Sequence, residues 1–351
     1  MKKYLLPRLG KFYKANMHTH TNISDGKLTP EEVKAKYKEK GYSIVAFTDH
    51  EIMMPHYDLR DDEFLPITAY EIQIRDLDRA VRTHKVYHMN VYSPDPERYL
   101  SKTYCKKDAW WGNIVNHFTD EMAAAGLAER HYTKNFAQWI INTANSEGML
   151  VSYNHPVWSL QNHDDYSGLK GFWGIEWYNN ECTKLGYFDT TAPITDLLSE
   201  GERVFPLATD DAHSARSIGG GWLKVKAKSL DYDTVFKALK KGDFYSSNGP
   251  EIKSLYIEDG VVHISTSAVK QITLVTDRRE VVSIDNFEDG KPIFSADLSL
   301  SGLLKSHAVT GDYRKAFFRI EITDKYGKKA LTRAYFLDEL DGCLTIKEGE
   351  K

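Results

Sequence analysis

Cysteine is nearly absent from this chain: three residues, Cys105, Cys182 and Cys343, among 351. So odd and sparse a set argues against a disulfide framework and fits a reducing compartment. None lies in a CxxC or beside a patterned histidine, so a catalytic thiol is not expected. Long apolar runs are missing too. No stretch approaches the ~20 apolar residues of a membrane span. The apolar part of MKKYLLPRLGKF is too short for the core of a secretion signal, so the expectation is a cytoplasmic protein with no membrane partner. Positive charge is not in excess either: 46 Lys and Arg against 50 Asp and Glu leave a net charge of −4. The basic residues are scattered, and the lysine-rich run 34–40 alternates with Glu and Tyr as a solvated helix face does. Nucleic acid is therefore not an expected partner. Internal repeats and low-complexity segments are also lacking, and the sequence leaves the oligomeric state open.

What is present is an ordinary packed core, with 41% hydrophobic and 12% aromatic residues. Up to about residue 250, strand-like and helix-like segments alternate. FYKANMHTH reads as a strand. A helix follows in LTPEEVKAKYKEKG, with Thr29 as N-cap, Pro30 first, Glu32 closing a capping box and Gly41 as the stop. YSIVAFTDH, FLPITAYEI, KVYHMNVY, MLVSYNHP, GIEWYN and RVFPLATDDAH complete seven candidate strands, and such alternation predicts a parallel sheet or barrel. Residues 93–147 exceed a simple crossover. They carry Trp110, Trp111, Phe118, Phe136 and Trp139, and read as a helical insertion that walls or covers a pocket. After SSNGP the texture changes. SLYIEDGVVHIST alternates around Asp259-Gly260, and KAFFRIEITDKYGKKALTRAYFL around a Tyr-Gly turn, both hairpin signals. Residues 251–351 are thus expected to form a small antiparallel, all-β, sandwich-like domain after a first domain of residues 1–250.

The chemistry-bearing residues fall at the ends of these strands. His18 and His20 end the first, with Asp25 in the loop beyond; two residues apart in a strand face the same way. His50 ends the second, Glu71 the third and His155 the fifth, while Asp211 and His213 end the seventh. His88 lies within the fourth and is preferred to His84, which precedes the apolar run. In a parallel barrel these ends gather on one face, where catalytic groups sit. Imidazole and carboxylate suit Zn, Mn and Fe. Nine such ligands exceed what one ion uses, so two or three ions sharing a bridging carboxylate are expected. Clustered ions bring the pKa of a bound water toward neutrality and clamp phosphoryl oxygens in transfer. That favours hydrolysis of a phosphate ester by a metal-activated hydroxide, with no protein nucleophile.

HTHTNISDG, FTDH, the Glu of TAYEI, NHP and TDDAH, in that order, resemble the motif set of the PHP (polymerase and histidinol phosphatase) superfamily over roughly residues 12–250. The resemblance implies a distorted seven-stranded, TIM-like β/α barrel, a di- or trinuclear metal centre and phosphoesterase activity. It further implies that His18, His20, Glu71 and Asp211 hold one ion. Glu71 would bridge to a second, completed by His88 and His155, and Asp25, His50 and His213 would hold a third. The tail resembles members with an appended C-terminal β domain.

Asp25, His50 and Arg216 are the candidates for a direct catalytic part, Arg216 as a phosphate clamp. Asp49 and Asp210 adjoin ligands and either orient an imidazole or make strand-end hydrogen bonds. Asn154, Tyr178 and Asn179 are candidates to line the pocket. SIGGGW lacks the strand–loop–helix context of a nucleotide loop. The leading reading is a phosphoesterase for a small phosphorylated metabolite, a phosphomonoester or nucleotide. Hydrolysis of a C–N or carboxylic ester bond on the same barrel, and a non-catalytic glycan-binding or partner-binding protein, are the alternatives.

Overall fold

A computed structural model describes residues 1–78, 80, 83–110, 112–187, 190–279, 281–310 (backbone alone for 306–310), 315–340 and 342–344; Trp111 lies outside them. In chain order the elements are β1 (Lys2–Tyr4), β2 (Lys11–Asn16), α1 (Pro30–Glu39), β3 (Ile44–Phe47), β4 (Leu65–Arg75) and β5 (Val86–Tyr92). Next come α2 (Asp120–Ala125), α3 (Lys134–Ser146), β6 (Leu150–Tyr153), α4 (His163–Tyr166), β7 (Gly174–Asn179), α5 (Asn180–Lys184), α6 (Ala192–Glu200) and β8 (Phe205–Thr209). Then follow β9 (Trp222–Ala227), α7 (Tyr232–Lys241), β10 (Phe244–Ser247), β11 (Ile252–Glu258), β12 (Val261–Val269) and β13 (Gln271–Thr276). The chain finishes with β14 (Val281–Asp285), β15 (Ile293–Ser299), α8 (Ser301–Thr310), β16 (Phe317–Thr323), β17 (Lys329–Thr332) and β18 (Tyr335–Phe336).

The fold is mixed α/β. Within a 14-stranded sheet, the seven expected strands stand side by side in the order β2-β3-β4-β5-β6-β7-β8. Neighbours β2, β3 and β4 run parallel, as do β6, β7 and β8. The exception is β5, antiparallel to both β4 and β6. The apolar run KVYHMNVY carries no mark of direction; the short link from β4 makes a hairpin, where a parallel crossover needs a dozen or more residues. Helix α1 starts as its sequence dictates: Glu32 N donates to Thr29 Oγ1 at 3.3 Å and Thr29 N to Glu32 Oε2 at 2.9 Å.

Strands β3 to β5 are buried on both faces, as sheets covered on both sides require. Ile44, Ala46, Leu65, Ile67, Leu207, Leu223 and Val225 pack with Val235 and Leu239 of α7. Tyr70, Ile72, Met89 and Val91 pack with Ala137, Ile140 and Ile141 of α3. The insertion is less helical than expected, because its first part, 93–110, holds turns and bends among the described residues.

Beyond residue 250 both expected hairpins are present. Strands β11 and β12 pair antiparallel around Asp259 and Gly260, and both of these residues have positive φ (50° and 77°), as a type I′ turn demands. Strands β16 and β17 pair across Tyr326-Gly327. Sheet β1-β11-β12-β15 and the β13–β16 part of the large sheet enclose a core of Leu255, Ile257, Val262, Ile264, Leu274, Ile320 and Ile322. Two features were not expected. Helix α8 interrupts the strands, and N-terminal β1 joins this region by pairing with β11.

Leu255 is fully buried and Phe294 is 54% exposed. Leu255→Ala should lower stability by about 2–5 kcal/mol, read as a fall in the urea midpoint. Phe294→Ala should stay within about 0.5 kcal/mol.

Candidate metal centre

Hydrogen bonds between strand ends place the His18–His20 segment and the loop that follows it. Asn16, the last residue of β2, accepts from Asp210 N at 2.9 Å and donates to His18 O at 2.8 Å. Thr19 N donates to Thr48 Oγ1 (2.9 Å) and His20 N to Ala212 O (3.1 Å), which stitches the HTH segment between the ends of β3 and β8. The following loop folds around Asp49. Its carboxylate accepts from Thr21 N and Thr21 Oγ1, both at 2.8 Å, and from Ser24 N (3.2 Å) and Ser24 Oγ (2.6 Å). Gly26 closes the loop against the ligand backbone, because a Cβ there would lie 2.6 Å from the carbonyl carbon and oxygen of His20. Two ligands occupy left-handed backbone, His155 (φ 25°) and Asp211 (φ 50°). Non-glycine residues hold such conformations only where surrounding structure over-determines them, as at functional sites.

Glu71 is the centre of the cluster. Its Oε1 lies 3.3 Å from His18 Nε2, 3.1 Å from His88 Nδ1 and 3.4 Å from His155 Nε2. Its Oε2 lies 3.4 Å from His20 Nε2 and 3.2 Å from His50 Nδ1. Asp211 Oδ1 stands 3.2 Å from His18 Nε2 and 3.1 Å from His20 Nε2. Asp25 Oδ2 is 3.6 Å from His50 Nε2 and 3.4 Å from His213 Nε2. The structure thus brings all nine sequence-derived ligands together. Four sets have mutually close ligand atoms: His20, Asp25, His50 and His213; His18, His20 and Asp211; Glu71, His88 and His155; and His18, His155 and Glu176. His84 precedes β5 and belongs to none of them. The side chains of Asp25 and His213 are 27% and 30% exposed and the other seven are buried, so the cluster opens on the Asp25–His213 side.

The electrostatics call for cations. Burial opposes charge on His18, yet Asp211, Glu71 and Glu176 outweigh it and raise its pKa well above the ordinary value. His213 is raised to about 9, with burial overcome by Asp25 and Asp211. Glu71 and Asp211 are held well below the usual carboxylate range in spite of burial, chiefly by His88 and His18 respectively. Burial pushes His88 down to about 4, so it is a neutral, ligand-ready imidazole. His20 Nδ1, His88 Nδ1 and Asp211 Oδ1 are buried with no hydrogen-bond partner, a costly arrangement in a folded chain. Two atoms bound to one ion at about 2.0–2.2 Å stand roughly 3.0–3.5 Å apart, the range of most of these separations. The residues present fit divalent cations.

One member escaped the sequence reading. Glu176, in the middle of β7, sets the cluster without the open valences of a ligand. Its Oε1 accepts from Thr209 Oγ1 and holds His18 Nδ1, both at 2.7 Å. Its Oε2 accepts from His155 N and Asn179 Nδ2, both at 2.9 Å. The signal was a lone carboxylate in the otherwise apolar and aromatic GIEWYN. Asn154 Nδ2 donates to Glu71 Oε1 at 2.7 Å, and Asn179 Nδ2 to Asp211 Oδ2 at 3.1 Å. Both asparagines therefore orient ligands. Tyr178 donates to Asn180 Oδ1 at 2.9 Å.

Asp210 accepts from the amides of Gly219, Gly220 and Gly221 at 2.7, 2.8 and 2.9 Å, which explains SIGGGW as the wrapping of a carboxylate. Asp49 and Asp210 thus hold loop backbone at the strand ends. Arg216 lies in a short 3₁₀ turn, its side chain 62% exposed and its Nη2 2.5 Å from Glu181 Oε1. The structure does not bring it to the cluster.

A mixed α/β sheet whose strand ends converge on a histidine–carboxylate cluster defines a site suited to divalent metal. Residues 16–153 match the family model of the PHP domain. No curated protein matches the sequence. Among solved structures, it is similar to a two-domain protein from Bacteroides vulgatus containing a predicted PHP-like metal-dependent phosphoesterase. The identity is 13%, with 95% of this chain and 97% of that one covered and a TM-score of 0.41. The lesion-specific endonuclease EndoQ from Pyrococcus furiosus is 14% identical, over 96% and 74% of the two chains, with a TM-score of 0.39. An amidohydrolase from Chromobacterium violaceum is 14% identical, over 57% and 87%, with a TM-score of 0.31.

Glu176→Gln replaces one carboxylate oxygen by an NH₂ facing donors. It should weaken divalent-metal affinity about 10–100-fold with the fold retained, as read by chelator competition beside circular dichroism.

Proposed function

We propose that this protein is a metal-dependent phosphoesterase acting on a small phosphorylated metabolite, a phosphomonoester or nucleotide. One observation carries the reading. Nine candidate ligand side chains from six strands converge with Glu71 at their centre, and the buried atoms His20 Nδ1, His88 Nδ1 and Asp211 Oδ1 are turned toward other members of the cluster. In this reading His18, His20, Glu71 and Asp211 hold one ion. Glu71, His88 and His155 hold a second, and Asp25, His50 and His213 hold a third at the open side. Zn, Mn and Fe all suit the donors. The sheet is read as a distorted barrel, supported by the Thr19–Ala212 bridge between the ends of β2 and β8, with residues 251–351 as an appended domain.

Bound ions supply a water acidified toward neutral pH and positive charge for phosphoryl oxygens. The chain's own residues do the rest. Glu176 fixes the ring of His18, and Asn154 and Asn179 aim Glu71 and Asp211. The Asp49-bound loop carries Asp25 to the rim where substrate enters. Arg216 serves as a clamp only by exchanging Glu181 for substrate phosphate, in which case Arg216→Ala raises KM without lowering metal content. The net charge of −4 supports a small substrate over nucleic acid.

The test is metal content per chain after chelator-free purification, with phosphate release from phosphomonoesters and phosphodiesters under added Mn or Zn. Two or three ions, and turnover that His20→Ala loses by at least about 100-fold, are expected. Fewer than one ion after supplementation would overturn the centre. Full metal with no phosphate released, but with amide or lactone cleavage, would move the reaction to C–N or carboxylic ester bonds.

A further inference from the structure

Behind the cluster lies a buried charge pair that ligation does not use. Glu51 follows His50 directly, is fully buried and sits in left-handed backbone (φ 65°). Its amide donates to Glu71 O at 2.8 Å. Its Oε1 accepts from Gln73 N at 2.9 Å, and its Oε2 is 2.5 Å from Arg130 Nη1. Arg130 comes from the insertion, and its side chain is 2% exposed. The same guanidinium donates from Nη1 to Gln73 O (3.0 Å) and from Nη2 to Thr103 O (2.6 Å). One planar group therefore grips the carboxylate next to His50, the peptide two residues past Glu71 and the insertion's own backbone. Lysine, a point donor, cannot reproduce this fork.

The plain reading is an ion pair that secures the insertion. Buried pairs are weak sources of stability, however, because desolvation offsets their attraction. The insertion's other bonds to this rim also fall beside ligands. Tyr104 OH accepts from Met53 N at 2.9 Å. Asn113 binds the Asp25 loop twice, its amide to Ser24 O at 2.9 Å and its Nδ2 to Asn22 O at 2.7 Å. The insertion braces the backbone that carries Asp25, His50 and Glu71.

We propose that Arg130 is a positioning residue for the metal centre. By locking Glu51 and Gln73 together it sets the spacing of His50 and Glu71, and so tunes the affinity for the ion at Asp25, His50 and His213. This inference rests on the metal-centre reading, and its test needs no substrate.

The experiment titrates Mn²⁺ or Zn²⁺ into the metal-stripped full chain by chelator competition. The variants are Arg130→Met, Glu51→Gln with Arg130→Met, and Lys106→Ala, the last an exposed insertion residue. Melting temperature and near-UV circular dichroism are recorded beside each titration. The expected result is one ion per chain bound about 10–100-fold more weakly in Arg130→Met, the rest unchanged, with Lys106→Ala like the parent. The double variant should regain melting temperature, since its lone buried charge is gone, but not affinity. If Arg130→Met does not fold, the double variant carries the test. Parental affinity in the double variant would mean that Arg130 merely neutralises Glu51, and would overturn the proposal. So would parental affinity in a folded Arg130→Met. Absence of metal binding by the parent itself would instead overturn the centre, and this inference with it.

Discussion

Glu71 is the constraint around which the structure is organised. A carboxylate taken out of water carries a desolvation penalty of several kcal/mol unless it is paired and hydrogen-bonded. This one is buried in the sheet with five imidazoles at 3.1–3.4 Å. No single element can supply that company. His18 and His20 come from the end of β2, His50 from β3, His88 from β5 and His155 from β6, so the sheet order must bring all these strand ends to one place. The backbone bridge between His50 and Glu71 shows how tightly fold and site are tied. The pairing that extends β3 and β4 also fixes two ligands relative to each other.

Strand direction explains why His88 breaks the pattern of its neighbours. The other histidines and the two aspartates follow the carboxyl ends of their strands and Glu71 lies within β4, whereas His88 stands near the start of β5. Because β5 runs antiparallel, its amino end meets the far half of β4, where His88 pairs with Gln73 and Asn90 with Glu71. Its early position and its membership of the cluster are one fact. Apolar periodicity distinguishes buried from exposed strands but carries no sign of direction, so the sequence showed that KVYHMNVY is a strand and not which way it points.

The same limit separates what was legible from what was not. Local rules suffice for α1, with its cap, box and stop within a dozen residues, and for the Asp259-Gly260 hairpin. The ligands were legible because His and Asp at strand ends stand out against apolar runs. Glu176 was not, because its partners, His18 and Thr209, are contributed by strands far away in sequence. Arg130 was hidden for the same reason: its partner Glu51 lies 79 positions away, and nothing in AERHYTK marks an arginine that will be buried. The pairing of β1 with β11 joins the first residues to a strand some 250 positions on, and three residues of strand carry too little pattern to announce it.

Once the chain is folded, saturation sorts the acidic groups better than sequence position does. Asp49 accepts four hydrogen bonds from Thr21 and Ser24. Asp210 is wrapped by three glycine amides, and Glu176 is engaged by His18, Thr209, His155 and Asn179. These carboxylates have their needs met by the protein and act as holders. Asp211, one residue from Asp210 and also buried, makes no hydrogen bond through Oδ1 and turns it toward His18 Nε2 and His20 Nε2 at 3.2 and 3.1 Å. A chain evolved only to fold would have satisfied that oxygen as it satisfied its neighbour, since an unmade buried hydrogen bond costs about 1–3 kcal/mol. A cation between that oxygen and the imidazole nitrogens facing it would offset the cost. The contrast between Asp210 and Asp211 is therefore the most local physical sign that the cluster suits a divalent metal.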